Sequence, residues 1–136
     1  RQLVAGVVRA RRAGAHDAAD WGESVLYAEE AGVTSSNLLT AGRGADQRLY
    51  NFSRSRGWNP NFLVHGPQGW TYGGRLLASE GRPYLKYQSS RDGSVIHVVA
   101  TDQHPRDFDN SIYHGVMDGK TLSNSFGTVL DDNLSD

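Results

Sequence analysis

Cysteine is absent from the 136 residues, which excludes a disulfide framework and a thiolate metal site. An excess of charge of one sign is missing as well. Fourteen Lys and Arg against fifteen Asp and Glu leave a formal net charge of −1, so no global field draws the chain to nucleic acid or to a membrane surface. The basic run Arg9, Arg11 and Arg12 is too short to alter that and reads as a solvated strand end. No apolar stretch approaches the ~18 residues that a membrane-spanning helix requires. No Gly-x-Gly-x-x-Gly follows a strand and no P-loop is present, so nucleotide binding has no support. Helical periodicity is scarce too. The most helix-like stretch, 13–31, is interrupted by Gly22 and Gly32, and its alanines hold no i, i+3, i+4, i+7 stripe. The first residue is Arg1 rather than Met and no signal-peptide apolar core follows it, so the chain is expected to be a piece of a longer protein, the alternative being a mature chain that begins here after processing.

What the sequence does hold is turn-forming and strand-forming residues. Sixteen glycines and 10% aromatic residues suit many tight turns between short strands. Stretches 3–9, 48–53, 61–65, 84–87, 95–101 and 112–117 are rich in β-branched and aromatic residues and are bounded by Gly, Pro, Asn, Asp or Ser. Leu49-Tyr50-Asn51-Phe52 and Ile96-His97-Val98 alternate, as half-buried strands do. Val98-Val99-Ala100 reads as buried on both faces.

Three segments share one pattern: a turn, a bulky residue, a short polar stretch and a closing aliphatic strand. They are Asp17-Ala18-Ala19-Asp20-Trp21 with Ser24-Val25-Leu26-Tyr27, Gly66-Pro67-Gln68-Gly69-Trp70 with Gly74-Arg75-Leu76-Leu77, and Asp118-Gly119-Lys120-Thr121-Leu122 with Gly127-Thr128-Val129-Leu130. Trp21 and Trp70 are 49 positions apart, and Trp70 and Leu122 are 52 apart. Upstream of the last two, Leu49 to Phe52 and Asn61 to Val64 parallel Ile96 to Val99 and Ser111 to His114. A period near fifty with four strands per unit is the spacing of a propeller blade. The expected fold is all-β, a partial antiparallel β-propeller of about two and a half four-stranded blades. Its parts are an outer half-blade (1–32), a blade (33–80) and a second blade (81–136). Unrelated hairpins in a β-sandwich are the alternative. Trp21, Trp70 and Leu122 are expected to lock the outer hairpins by burial. A piece of this kind leaves edges and apolar faces that missing blades or self-association must cover.

Asn59-Pro60-Asn61-Phe62, Gly73-Gly74-Arg75-Leu76-Leu77, Arg82-Pro83-Tyr84-Leu85-Lys86-Tyr87 and Thr101-Asp102-Gln103-His104-Pro105-Arg106 with Asn110-Ser111-Ile112-Tyr113-His114 together resemble the BNR-repeat propeller proteins. That family includes ulvan lyases and related rhamnose–uronate-cleaving enzymes. The likeness covers 36–130, with 3–27 as a degenerate half-blade. It implies a seven-bladed parent, a secreted or periplasmic location, and a polysaccharide lyase or glycoside hydrolase acting on an acidic, uronate-containing polysaccharide. About four blades would lie outside the chain. His65-Gly66-Pro67-Gln68-Gly69 departs from the usual Asp-box, lacking its Ser and Asp.

Under that reading His104, Arg106, Asn110, Tyr113 and His114 are candidates to converge on one ligand. Elimination from a uronate requires the carboxylate neutralised, the C5 proton taken by a base and the leaving oxygen protonated. Arg106 is suited to pair with the carboxylate, His104 to act as base and Tyr113 as acid, with Asn110 helping to hold the carboxylate. Equally, His104-Pro105 could fix a loop and Arg106 could pair locally with Asp102, Asp107 or Asp109. Tyr113 and His114 are adjacent on a strand and point to opposite faces, so at most one meets the ligand. His97, in an apolar run, is expected to be a satisfied histidine between blades. Arg54 and Trp58 form a second substrate-binding pair, the guanidinium for carboxylates and the indole for pyranose faces. The other reading of Trp58 is a ring folded back on its own blade. No cofactor is expected. His65, His97, His104, His114 and Asp102 supply ligand types without a known zinc spacing, so no catalytic metal is expected, though a structural ion is compatible. Competing functions are a non-catalytic sugar-binding propeller and a protein-interaction propeller. The lack of a Trp-Asp dipeptide at blade ends counts against the latter.

Overall fold

The computed structural model describes residues 3–8, 25–31 and 33–135, the first two segments by backbone alone. Every described regular element is a strand except for one 3-10 turn, Gly44–Asp46. β1 (Leu3–Val8) pairs antiparallel with β2 (Val25–Ala31). The end of the helix-like stretch is therefore a strand. Trp21 lies outside the described residues, and so does any comparison of it with Trp70 and Leu122.

The rest builds two antiparallel meanders. β3 (Thr34–Ala41), β4 (Arg48–Ser55), β5 (Asn59–Gly66) and β6 (Gly69–Arg75) form a four-stranded sheet in sequence order. β7 (Leu85–Ser89), β8 (Ile96–Thr101), β9 (Ile112–Asp118), β10 (Thr121–Asn124) and β11 (Val129–Asp131) form a five-stranded sheet, also in order. Four strands were expected in the second unit. The fifth arises because the Asn124 carboxamide accepts from the amides of Phe126 and Thr128 and folds the chain back as β11. Of Gly127-Thr128-Val129-Leu130, the first two residues thus lie in this turn and the last two in a separate strand. The stretch compared with it, Gly74-Arg75-Leu76-Leu77, runs on from β6.

The two four-strand units correspond in register. Each has a two-residue turn between its third and fourth strands, Pro67-Gln68 or Gly119-Lys120. Two pairs from the turn, His65 faces Trp70 and Met117 faces Leu122. One strand inward, Leu49 faces His65 and Ile96 faces Met117. The row Leu49–His65–Trp70 therefore matches Ile96–Met117–Leu122, and Tyr50–Val64–Thr71 matches His97–Val116–Ser123.

The core shows which faces meet. Tyr50, Phe52 and Phe62 of the first sheet share one cluster with Ile96, Val98 and Met117 of the second. Phe52 stacks on Tyr87 with centroids 4.4 Å apart. Inter-sheet packing thus uses the Tyr50 row of the first sheet and the Ile96 row of the second, which are opposite faces of the repeating unit. The sheets stack in the same sense, front on back. The outward face of the second sheet carries His97, Val99, His114 and Val116, the counterparts of the buried Tyr50, Phe52 and Phe62 and the half-buried Val64 of the first. The Val98-Val99-Ala100 run, expected buried on both faces, accordingly alternates. Val98 and Ala100 are buried while Val99 is 41% exposed, because no described residue forms a layer over that face.

The backbones of the two sheets meet along β3 and β7. The Gly42 amide donates to the carbonyls of Gly93 and Ser94 there, and Ser89 Oγ donates to the Thr40 carbonyl. At Gly42, φ is +121° and an added Cβ would sit 2.5 Å from the Asp46 carbonyl oxygen, so only glycine fits. Asp92 shapes the facing turn. Its carboxylate accepts from Ser90 Oγ and from the Ser94 amide and hydroxyl, which draws its pKa down to about 2. Farther out, Leu134 and Leu76 complete the core. The Leu134 amide donates to the Lys120 carbonyl and the Arg75 amide to the Ser135 carbonyl, tying the last described residues between the outer hairpins. Of the two described locks, Leu122 packs on the core beside Met117. Trp70 is half-buried and meets the His65 ring edge-on at 5.1 Å.

Phe52 and its counterpart Val99 test the stacking sense. Phe52→Ala is expected to cost about 3–5 kcal/mol. Val99→Ala is expected to stay within about 0.5 kcal/mol, since it removes exposed surface. Denaturant unfolding of both variants measures the difference.

Candidate functional site: a cation–aromatic ridge at the exit end

The β4–β5 turn, the 76–84 link and the 102–111 loop gather at one end of the stacked sheets. The link and the loop are fastened to each other. Ser79 Oγ donates to the Asp102 carbonyl, the His104 amide to the Gly81 carbonyl, and the Tyr84 amide to Thr101 Oγ1. The Asn59 carboxamide accepts from the Ser79 amide, joining this edge to the first sheet.

On this scaffold cations and rings alternate. The Arg82 guanidinium lies 5.1 Å from the Trp58 ring centre, and that of Arg54 lies 5.9 Å from the same ring and 4.4 Å from the Tyr84 ring. Tyr84 then meets the His104 ring edge-on at 4.8 Å. Arg56 lies 4.0 Å over the Tyr72 ring. A guanidinium over a ring face keeps its in-plane N–H groups directed outward and is held in place while doing so. Among the described residues neither Arg54 nor Arg82 is ion-paired.

The backbone beneath is strained. Arg56, Gly57 and Trp58 are successive left-handed residues at φ +46°, +84° and +70°, and Arg82 is at +57°. Each non-glycine residue held this way costs on the order of 1–3 kcal/mol, so the surroundings must over-determine it. Asn61, which is buried, supplies much of that constraint. Its amide nitrogen donates to the Ser55 and Asn59 carbonyls on either side of the turn, and its oxygen accepts from the Tyr72 hydroxyl.

The sequence-predicted residues divide into those facing outward and those holding the loop. Arg54 and Trp58 stand together. Trp58 is 38% exposed, with the guanidinium groups of Arg54 and Arg82 near its ring. Asn110 is a brace. Its oxygen accepts from the Gln103 amide at 2.7 Å, and its nitrogen donates to the carbonyls of Phe108 at 2.8 Å and His104 at 3.4 Å. Arg106 is exposed and forks onto Asp107 with contacts of 2.7 and 3.0 Å, which holds the Asp107 carboxyl below its ordinary range. His104 Nδ1 accepts from the Arg106 amide at 3.1 Å and lies 3.6 Å from Asp107 Oδ2. A neutral His104 therefore carries its proton on Nε2 and presents a donor there.

Tyr113 and His114 take opposite faces of β9, paired with Ala100 and Val99. Tyr113 borders a depression of about 380 Å³ with Leu77, Ser79, Asp102 and Gln103, and makes no hydrogen bond to His104 or Arg106. Asp102 Oδ1 and Gln103 Oε1, in residues lining that depression, are buried acceptors without a partner among the described residues. His114 and His97 meet on the outward face of the second sheet rather than between the two described sheets.

Sequence reading alone did not single out Tyr84, Arg82 or Asn61. Tyr84 and Arg82 flank Pro83, and the Arg82-Pro83-Tyr84 string was the signal that could have placed them beside Trp58. Comparison with family models, with curated proteins and with solved structures finds no match to this chain.

The brace is testable by itself. Asn110→Ala is expected to cost about 1–3 kcal/mol by leaving the Gln103 amide unpaired. Hydrogen exchange at Gln103 should accelerate while that of β4 stays protected.

Proposed function

We propose that the two meanders are successive blades of an antiparallel β-propeller, and that the chain is the carbohydrate-binding part of a protein acting on an acidic, uronate-containing polysaccharide. Three features support the propeller. The units repeat, they stack front on back, and their backbones meet along the first strand of each, β3 and β7. Two sheets of a sandwich have no reason to keep a common stacking sense.

The observation that carries the sugar reading is the run Arg82, Trp58, Arg54 and Tyr84. An acidic oligosaccharide offers alternating demands: a planar carboxylate for a guanidinium fork and an apolar pyranose face for an aromatic ring. A ridge with both at a spacing of 4.4 to 5.9 Å meets them in turn. The preset backbone at Arg56 to Trp58 lowers the ordering cost of binding.

Elimination or hydrolysis by His104, Arg106 and Tyr113 asks more of the site. His104 can serve as a base only after Nδ1 gives up the Arg106 amide, since the neutral ring has no other lone pair, and Arg106 must exchange Asp107 for the substrate. Binding through Arg54 and Trp58 requires neither change, so it is the reading we favour.

Calorimetry with an oligoglucuronate tests the proposal. Arg54→Ala and Trp58→Ala should each weaken binding about tenfold or more, as loss of a charge-assisted or stacking contact does. Arg91→Ala, at the opposite end, should leave binding unchanged. Absence of saturable binding, or indifference to both site variants, would overturn the reading. An unsaturated product absorbing in the near ultraviolet would add elimination to binding.

A further inference from the structure

Next to the ridge, between β3 of the first sheet and β7 of the second, a slot of about 30 Å³ opens beside Arg54. Ser35, Asn37, Ser53, Tyr84 and Tyr87 line it together with Arg54. Local sequence makes the room. β3 changes register against β4 between Thr34 and Asn37, and Ser35 stands at φ +58°, so the strand bulges there. On the facing sheet Tyr87 stacks on Phe52, the ladder partner of Asn37, so core packing fixes its ring at the slot wall.

The polar groups around the slot are rich in donors. Arg54 is not ion-paired among the described residues, and its guanidinium is held 4.4 Å from the Tyr84 ring centre. The hydroxyls of Tyr87, Ser35 and Ser53 make no hydrogen bond to a described residue. The Asn37 carboxamide nitrogen reaches only the Phe52 carbonyl, at 3.5 Å. No Asp or Glu contributes to the lining. A phenol in a half-buried position ordinarily finds a partner, and here the space left for one adjoins an unpaired cation. Burial raises the Tyr87 pKa and the Arg54 charge lowers it, so the hydroxyl stays a donor at neutral pH and feels the guanidinium.

We infer that this slot seats the ligand's carboxylate, with Arg54 supplying the charge and the Tyr87 hydroxyl a second donor, and that its size favours a carboxylate over a sulfate ester. The identity of the ligand rests on the sugar-binding proposal, whereas the slot and its donors do not.

One oxygen-sized atom needs about 10–15 Å³ of such space. The slot therefore takes two, the number that a carboxylate presents, while a sulfate ester presents three. A guanidinium and a phenol on one carboxylate form charge-assisted hydrogen bonds, the stronger kind. Seating the acid group there also orients the sugar. The pyranose ring that carries it then reaches the exposed rings of Tyr84 and Trp58, which stand 4.4 and 5.9 Å from the Arg54 guanidinium.

Tyr87→Phe tests the seat, because it keeps the ring that stacks on Phe52 and removes only the hydroxyl. Calorimetry should show oligoglucuronate binding weakened about tenfold, with Tm unchanged. Lys86→Ala removes a positive charge from the opposite face of β7 and should alter affinity by less than about twofold. Acetate, followed at the Tyr87 Cζ resonance of the wild-type chain, probes the slot without a sugar. It should shift that resonance saturably, and sulfate at the same ionic strength should not. The inference is overturned by full oligoglucuronate affinity in Tyr87→Phe, by a Tyr87 resonance that acetate leaves in place, or by a sulfate shift as large as that of acetate. In the first case the sugar-binding proposal stands without the seat. If acetate shifts Tyr87 and oligoglucuronate does not bind, the carboxylate seat stands and the sugar-binding proposal falls.

Discussion

A strand meander of this width has two faces and cannot bury either one alone. In this chain the requirement is met by laying one sheet on the next, with Tyr50, Phe52 and Phe62 against Ile96, Val98, Met117 and Tyr87. The other features of the architecture depend on that contact. It fixes the register of both sheets, since a one-residue slip would turn the aromatic row outward. It also brings the β4–β5 turn and the 102–111 loop to the same end, because corresponding loops of units stacked in one sense emerge side by side. The ridge of arginines and rings is a consequence of that placement.

Stacking in one sense has a second consequence. A contact between unlike faces always leaves one of each kind unused at the ends of the stack, so it does not close within two sheets. Here the unused face of the second sheet holds His97, Val99, His114 and Val116 where the first sheet has Tyr50, Phe52, Phe62 and Val64. The substitution of histidines for core residues at that surface explains why the paired imidazoles stand in solvent.

Two asparagines organise the exit end, and their roles are parallel. Asn61 bridges the two sides of the Arg56–Trp58 turn, and Asn110 bridges the carbonyls and amide of the 102–111 loop. Both direct their amide nitrogens to backbone carbonyls. The residues left facing solvent on these loops are cationic and aromatic, so recognition falls to Arg54, Arg82, Trp58 and Tyr84 rather than to side chains committed to holding the loops.

Much of this was legible in the residue order. Turn residues and alternating apolar strands specified an all-β chain of short antiparallel strands, since period-2 patterning and two-residue turns are local properties. Gly127 to Leu130 reads as the closing strand of the unit, whereas the Asn124 turn makes its last two residues part of a fifth strand, because a closing strand looks the same whichever side it pairs on. Val99 was misread for a related reason: burial of a β-branched residue depends on what lies across the sheet, which no local pattern records. Arg54 and Trp58 could be nominated from their chemistry, but their partners Tyr84 and Arg82 come from about thirty residues downstream. Asn110 could be nominated as well, yet only the packed loop shows its carboxamide engaged on both sides. The sequence by itself determined the strands, their turns and the kinds of chemistry on offer. Tertiary structure decided which face is covered, which side chains are used up as braces and which cations stand over which rings, because each of these depends on distances between residues far apart in the chain.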